Sequence, residues 1–217
     1  MNIRRFLLSA LLALPALAVA VPFAPGAGAP GDFVEGRDYK VLPAPLPTST
    51  GDRIEVREFF FYGCSHCYSL ERPLKAWLAK KPQDVEFVAT PAVLSAKWEP
   101  LARAYYVAED LKVLDKTHAA IYNAIHVGNR KLFEKPAIVA FLAETGVPRD
   151  KVEQAWASFS VNTKVRNADA LSRKYMIQGT PTLAVAGKYI VPSNGERTFA
   201  VVDWLVMQER AARARRK

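Results

Sequence analysis

The chain has 217 residues, of which 50% are hydrophobic, and a net charge of +9 at neutral pH. This length allows a sizeable core and one or two domains, and the composition is ordinary for a globular protein rather than for a disordered or fibrous one. Five of the positive charges lie in residues 210–217, where we expect them to complement the dipole of a terminal helix.

The first twenty residues have the organisation of a secretory signal peptide. Arg4 and Arg5 precede the apolar run FLLSALLALPALAVA, which ends in an A-x-A pattern at residues 18–20. A membrane anchor is the less favoured interpretation, because the run is short for a span and Pro15 interrupts it. We therefore expect cleavage after about Ala20 and an exported mature protein, for which nucleic acid is a poor partner.

A lead-in rich in Pro, Gly and Ala follows, at residues 21–51, and we expect it to be flexible or extended. The next signals predict a strand, a helix and a second strand, at residues 53–62, 64–81 and 85–93. Cys64 and Cys67 lie where the first strand gives way to the helix. The sequence therefore predicts a βαβ unit with a C-x-x-C motif at its strand-to-helix junction.

The middle of the chain has a different pattern, since residues 98 to about 175 predict helices only. Strand signals return as a hairpin at 182–186 and 189–191, and a last amphipathic helix is predicted from about Phe199. We therefore predict an α/β domain in two pieces with an all-helical insertion. The predicted division places the first piece, the insertion and the second piece at 52–94, 95–165 and 166–217.

The spacing of the two cysteines indicates chemistry rather than structural support. They are the only cysteines in the chain, and a disulfide between them closes a very small loop, which contributes little stability. A thiol reacts as its thiolate, and the first turn of a helix favours an anion through its free N–H groups and its dipole. We expect Cys64 to be the exposed nucleophile of low pKa, assisted by His66, and Cys67 to be the buried resolving cysteine.

A thiolate-stabilising site makes its disulfide a stronger oxidant, because the stabilisation acts on the reduced form only. A metal site is the competing interpretation, since Cys64, Cys67 and His66 are metal-capable and His118 and His126 are further candidates. The chain has no second cysteine pair, so zinc is less favoured. We expect His118 and His126 to be ordinary helix residues.

One acidic residue in the first predicted strand is expected to be buried. Alternation places Ile54, Val56, Glu58 and Phe60 on one face, and three of these four residues are apolar. A buried carboxyl has a raised pKa. Two roles remain open for Glu58: a proton acceptor for the Cys67 thiol during exchange, or a structural ion pair with a nearby lysine.

The stretches EFFFYGCSHCYSLE and IQGTPTLAVAGKYIV, with the helical insertion between them, resemble the DsbA family of exported thiol:disulfide oxidases. The resemblance runs from about Tyr39 to the end of the chain. It implies a thioredoxin fold with an inserted all-helical domain. It also implies the roles of nucleophile, resolving thiol, thiolate stabiliser and buried acid for Cys64, Cys67, His66 and Glu58.

The same resemblance implies a substrate-binding side of the site. Thr180-Pro181 would be a cis peptide beside the cysteines, and the backbone of Thr180 would stay free to pair with an extended substrate chain. Ser65 would also face the substrate. It stands where many relatives have proline, which leaves the strength of the oxidant open because residues between the cysteines tune the potential.

The function implied by the resemblance is the donation of the Cys64–Cys67 disulfide to reduced, unfolded exported proteins in the periplasm, through a mixed disulfide at Cys64. A DsbB-like membrane quinone-linked oxidase would restore the disulfide. We expect a monomer with no metal and no cofactor besides the redox-active disulfide. A dedicated thiol reductase, a disulfide isomerase and a peptide-binding chaperone with incidental cysteines are the alternatives.

Overall fold

The computed structural model describes residues 33–215. The predicted signal peptide with its cleavage site, the first part of the lead-in (21–32) and the last two residues lie outside this range. Within it the chain forms one five-stranded sheet, whose strands are β1 (Lys40–Val41), β2 (Ile54–Phe60), β3 (Val85–Pro91), β4 (Thr182–Val185) and β5 (Tyr189–Pro192). No helix of the described residues is long and apolar enough to cross a membrane.

The sheet confirms the predicted βαβ unit and hairpin. Its strand order is β1-β5-β4-β2-β3, with β2 and β3 parallel and the other neighbours antiparallel. Helix α1 (Ser65–Leu78) connects β2 to β3 and continues through Pro73, and helix α7 (Arg197–Ala214) follows the hairpin. Strand β2 is buried at all seven positions, which its β-branched and aromatic residues allow at the centre of a sheet.

Two faces of β2 are buried for different reasons. On one face Ile54 and Val56 join the apolar core made with α1 and α7. On the other face Arg57 donates to Glu55 over 2.9 Å and to Thr90 over 2.6 Å. Arg57 and Glu55 therefore form a buried ion pair on this face of the sheet. Each charge is compensated there, as a buried charge must be.

The predicted helical region is confirmed. After a single 3₁₀ turn at Ala96–Trp98, five helices follow in the described chain: α2 (Glu99–Asp110), α3 (Leu114–His126), α4 (Lys135–Glu144), α5 (Arg149–Ala157) and α6 (Phe159–Lys174). Helix α6 begins where the Ser158 hydroxyl caps it by accepting from the backbone N–H of Val161. The predicted division at 165/166 falls inside α6, and the domain boundaries stay predictions.

The described part of the lead-in is packed onto the sheet rather than flexible. Strand β1 pairs antiparallel with β5, and the side chains of Phe33 and Leu42 are buried. Ser49 donates from both its backbone N–H and its hydroxyl to the buried Glu55 carboxylate. A few apolar and polar anchors thus hold a segment whose prolines prevent a longer strand.

Candidate active site

The two cysteines lie at the N-terminus of α1, as the motif predicts. Cys64 occupies the N-cap position with extended backbone angles, and the first turn of α1 contains no acidic residue. Cys64 is half-buried, whereas Cys67 is fully buried, and both are free thiols, so the structure represents the reduced state. Cys64 is therefore the more accessible of the two thiols, and Cys67 is the buried one.

The environment of Cys64 favours its thiolate. A hydrogen bond from the Cys67 thiol is the largest cause that lowers the pKa of Cys64 to about 5, and the backbone N–H groups of Cys67 and His66 add to it against the opposing effect of partial burial. The helix N-terminus therefore acts through its free N–H groups. His66 contributes through its backbone N–H, and its side chain is exposed.

Cys67 has the opposite electrostatics. Burial, followed by its hydrogen bond with Cys64, raises the pKa of the Cys67 thiol far above its ordinary value. Two contacts oppose this increase in the pKa: a hydrogen bond with Thr180 and, as a smaller effect, the backbone N–H of Phe61, which lies 3.5 Å from the Cys67 Sγ. Cys67 therefore holds its proton at neutral pH while Cys64 is ionised.

The loop before β4 comes to the cysteines from more than a hundred residues away. Thr180-Pro181 is a cis peptide, as the resemblance implies, and the Cys64 thiol, when it is protonated, donates to the carbonyl of Thr180 over 3.2 Å. Thr180 is half-buried and Pro181 is buried, whereas Ser65 is exposed at the start of α1. These residues place an accessible backbone edge directly beside the reactive sulfur.

A groove of about 1200 Å³ opens beside this edge. It is lined by the loop residues Thr180 and Pro181, by His66 and other residues of helix α1, and by residues of strand β1 in the lead-in. Its floor contains apolar side chains such as Leu42, Leu70 and Ile177.

Glu58 is buried, as the alternation predicts, and it is not in the predicted ion pair. Its cross-strand neighbours are Ala89 on β3 and Leu183 on β4, and its Oε1 has no hydrogen-bond partner in the described structure. Burial, and secondarily the charge of Glu71, raises the pKa of Glu58 from 4.5 to about 8. The lysine interpretation is therefore wrong for residues 33–215, and Glu58 is a carboxyl that can exchange a proton near neutral pH.

The structure also corrects the expectation for His118 and His126. Both rings reach the same residue, Tyr62, which lies two positions before Cys64. Their spacing of eight residues on a helix gave no sign of this, because the common partner is distant in sequence.

Residues 33–215 contain no cluster of three or more His, Cys, Asp or Glu side chains that could hold a metal ion, so the zinc interpretation gains no support.

A dithiol pair at the start of the helix after a central strand, facing a cis-proline loop, defines a thiol:disulfide oxidoreductase of the thioredoxin superfamily. A family model described as a DSBA-like thioredoxin domain matches residues 93–201, a range that includes Thr180 and Pro181 and lies after the cysteines. Thiol:disulfide interchange protein DsbA of Azotobacter vinelandii is 37% identical over 217 residues, with coverage of 96% of this chain and 99% of that protein. DsbA of Pseudomonas aeruginosa is 35% identical, with coverage of 96% and 98%.

Solved structures give the same result. The crystal structure of Pseudomonas aeruginosa DsbA matches with a TM-score of 0.80 at 34% identity, covering 84% of this chain and 97% of that chain. The oxidoreductase DsbA from Xylella fastidiosa matches with a TM-score of 0.76 at 34% identity, covering 82% and 98%. The chain therefore belongs to the DsbA family, and its fold is the thioredoxin fold with an all-helical insertion.

Proposed function

We propose that the protein is an exported thiol:disulfide oxidase that donates its Cys64–Cys67 disulfide to reduced, unfolded proteins in the periplasm. The observation that carries this proposal is the pair of opposite pKa shifts, with the Cys64 pKa lowered to about 5 and the Cys67 pKa raised. A stabilised thiolate favours the reduced protein and so makes the disulfide a strong oxidant. The same argument disfavours a dedicated reductase.

The reaction is a two-step thiol–disulfide exchange. A substrate thiolate attacks the Cys64 Sγ, the Cys64–Cys67 bond breaks, and Cys67 leaves as a thiolate that takes up a proton. A second substrate thiolate then attacks the substrate sulfur of the mixed disulfide, and Cys64 leaves as a thiolate. The substrate loses two electrons, which reduce the disulfide, and the low pKa of Cys64 makes it the better leaving group in the second step.

Glu58 is proposed to exchange the proton of Cys67. A carboxyl with a pKa of about 8 is largely protonated at neutral pH and can give its proton to the Cys67 thiolate when that thiolate is released. The resulting carboxylate can accept a proton from Cys67 when the disulfide is formed again. The cross-strand neighbours of Glu58 are apolar, so neither of them forms an ion pair that would keep Glu58 ionised.

The groove and the Thr180 backbone are proposed to hold the substrate chain. An extended segment lying along the Thr180-Pro181 edge would use main-chain hydrogen bonds, which any sequence can make, and the apolar floor would accept varied side chains. Ser65 and the exposed ring of His66 would border this segment next to Cys64. Such recognition suits an enzyme that must accept many unfolded proteins.

Several further features belong to the same proposal. The protein works as a monomer without a cofactor beyond its redox-active disulfide, and a DsbB-like membrane quinone-linked oxidase restores that disulfide. Export follows from the signal peptide pattern of residues 1–20. The name of the relatives, thiol:disulfide interchange protein, supports the exchange chemistry.

The test is the redox equilibrium of the purified mature protein in glutathione buffers, read by trapping of free thiols. We expect the protein to be largely reduced at a glutathione poise that keeps ordinary structural disulfides oxidised. The Cys64→Ser variant should lose the ability to oxidise a reduced, unfolded substrate. An equilibrium as reducing as that of thioredoxin, or full activity of Cys64→Ser, would overturn the proposal.

A further inference from the structure

The turn between β2 and α1 is fixed by four polar contacts, which two of its three residues make. We call residues 61–63 the active-site turn. The carbonyl of Phe61 accepts from the backbone N–H of Cys64 over 3.0 Å, and its own N–H lies 3.5 Å from the Cys67 Sγ. The carbonyl of Tyr62 accepts from His126 Nε2 over 2.7 Å, and the Tyr62 hydroxyl is 2.8 Å from His118 Nδ1.

The hydrogen-bond partners of the two histidine rings determine which ring nitrogen of each carries a proton. A carbonyl oxygen only accepts, so His126 carries its proton on Nε2. His118 Nε2 lies 3.4 Å from the carboxylate of Glu71, which also only accepts, so this nitrogen carries a proton too. In the uncharged ring of His118, Nδ1 then accepts from the Tyr62 hydroxyl. Tyr62 is therefore held at its side chain by one histidine and at its backbone by the other.

The two rings are themselves held in place. The ring of His126 stacks on the ring of Tyr68 in α1, with 5.0 Å between centroids and 12° between planes. The ring of His118 packs edge-on against Phe60 and Tyr122. Two polar groups on α3, a helix of the insertion, thus reach the turn from rigid positions.

We propose that His118 and His126 are positioning residues for the thiol chemistry, acting through Tyr62. Neither ring touches a sulfur atom. By fixing both ends of Tyr62 they hold the active-site turn, which keeps the Phe61 N–H on Cys67 and keeps Cys64 at the helix N-cap. The N-terminus of a helix favours an anion, so this position favours the Cys64 thiolate. The helical insertion thereby contributes to the redox property of a motif that belongs to the other part of the fold.

Loss of the contacts between Tyr62 and the two histidines should shift the redox equilibrium of the cysteines in one direction. A hydrogen bond weakens steeply when its distance or angle changes, so a loosened turn weakens the donors around both sulfur atoms. The Cys64 thiolate is then less stabilised, its pKa rises, and the reduced form becomes less favoured. This inference rests on the proposed function, because it concerns the oxidising power of the same pair of cysteines.

The test compares four variants with the wild type. His126→Leu removes the donor to Tyr62, His126→Gln keeps an N–H donor at a similar reach, and Tyr62→Phe removes the contact with His118. The control is Tyr68→Phe, which loses a hydrogen bond between α1 and α3 but leaves the turn untouched. Each is measured by the thiolate absorbance of Cys64 against pH and by the equilibrium with glutathione.

We expect His126→Leu to shift the glutathione equilibrium about three- to tenfold toward the oxidised protein, the range for losing one hydrogen bond, and to raise the Cys64 pKa. His126→Gln and Tyr68→Phe should stay within about twofold of the wild type. The proposal is overturned if a folded His126→Leu also stays within that range, or if Tyr68→Phe shifts the equilibrium as much.

Two further outcomes are separated by the design. If His126→Leu does not fold by circular dichroism, Tyr62→Phe decides: we expect a shift of about two- to fivefold in the same direction, and no shift overturns the proposal. If the wild type itself is not oxidising against glutathione, the proposed function fails. If the wild type is oxidising and the His126→Leu and Tyr62→Phe variants match it, only the proposed positioning role fails.

Discussion

Replacing Glu58 by glutamine should make the folded protein more stable, and the gain should grow with pH. The carboxyl has its ordinary pKa of 4.5 in the unfolded chain and a pKa of about 8 in the folded protein, mainly because burial disfavours the charged form. Each pKa unit is about 1.4 kcal/mol. Between pH 4.5 and pH 8 the wild type therefore loses stability as pH rises, since the unfolded chain can ionise and the folded one resists it.

The magnitude follows from these two pKa values. At pH 5 the penalty from Glu58 is roughly 1 kcal/mol, and at pH 8 it is roughly 4 kcal/mol, so the difference is about 3 kcal/mol. Glu58→Gln keeps the shape of the side chain and removes the titration. Its stability relative to the wild type should rise by that difference between the two pH values.

The assay is denaturant unfolding of the wild type and Glu58→Gln at pH 5 and pH 8. Both proteins are kept oxidised, so that the Cys67 thiol does not titrate in parallel. A stability difference that is the same at both pH values would refute the reasoning, because it would mean that Glu58 titrates normally in the folded protein.

The same variant tests the proton exchange. Its oxidation of a substrate thiol should be slower than that of the wild type and should lose part of its dependence on pH between 7 and 9.

Two further predictions concern the turn and the exposed thiol. Because the Cys64 pKa lies at about 5, alkylation of the reduced protein by iodoacetamide should follow a single titration near that pH and be nearly constant from pH 7 to pH 8. The contribution of the Cys64 thiolate to the stability of the reduced protein should fall as pH drops from about 9, the ordinary thiol pKa, to about 5. Titration of Cys64 above pH 8 would contradict both expectations. Gly63→Ala should destabilise the protein by about 1–3 kcal/mol in denaturant unfolding, because its Cβ would lie 2.5 Å from the Phe61 ring, which is stacked on Trp98. Gly179→Ala, whose Cβ would meet nothing within 4 Å, is the matched control, and equal effects of the two changes would contradict the packing argument.

Local patterns in the sequence predict those features of the protein that depend on residues close together along the chain. The cysteines, three positions apart after an aromatic strand, already define which residue lies at the helix N-cap and which is buried one turn later, because helix geometry fixes that relation. Alternation along β2 likewise predicts the burial of Glu58. The succession of strand and helix signals, with a helical stretch between them, predicts the element order correctly.

The partners of these residues were decided only by the tertiary structure. Thr180 reaches Cys64, both histidines of α3 reach Tyr62, and β1 of the lead-in reaches β5, in each case across a long stretch of chain. Periodicity shows which face of an element is buried, but it does not show what packs against that face. The sequence by itself determined the chemical pair and its local electrostatics, whereas only the packing of distant elements decided what surrounds the two sulfur atoms, since those contacts depend on the whole chain's arrangement in space.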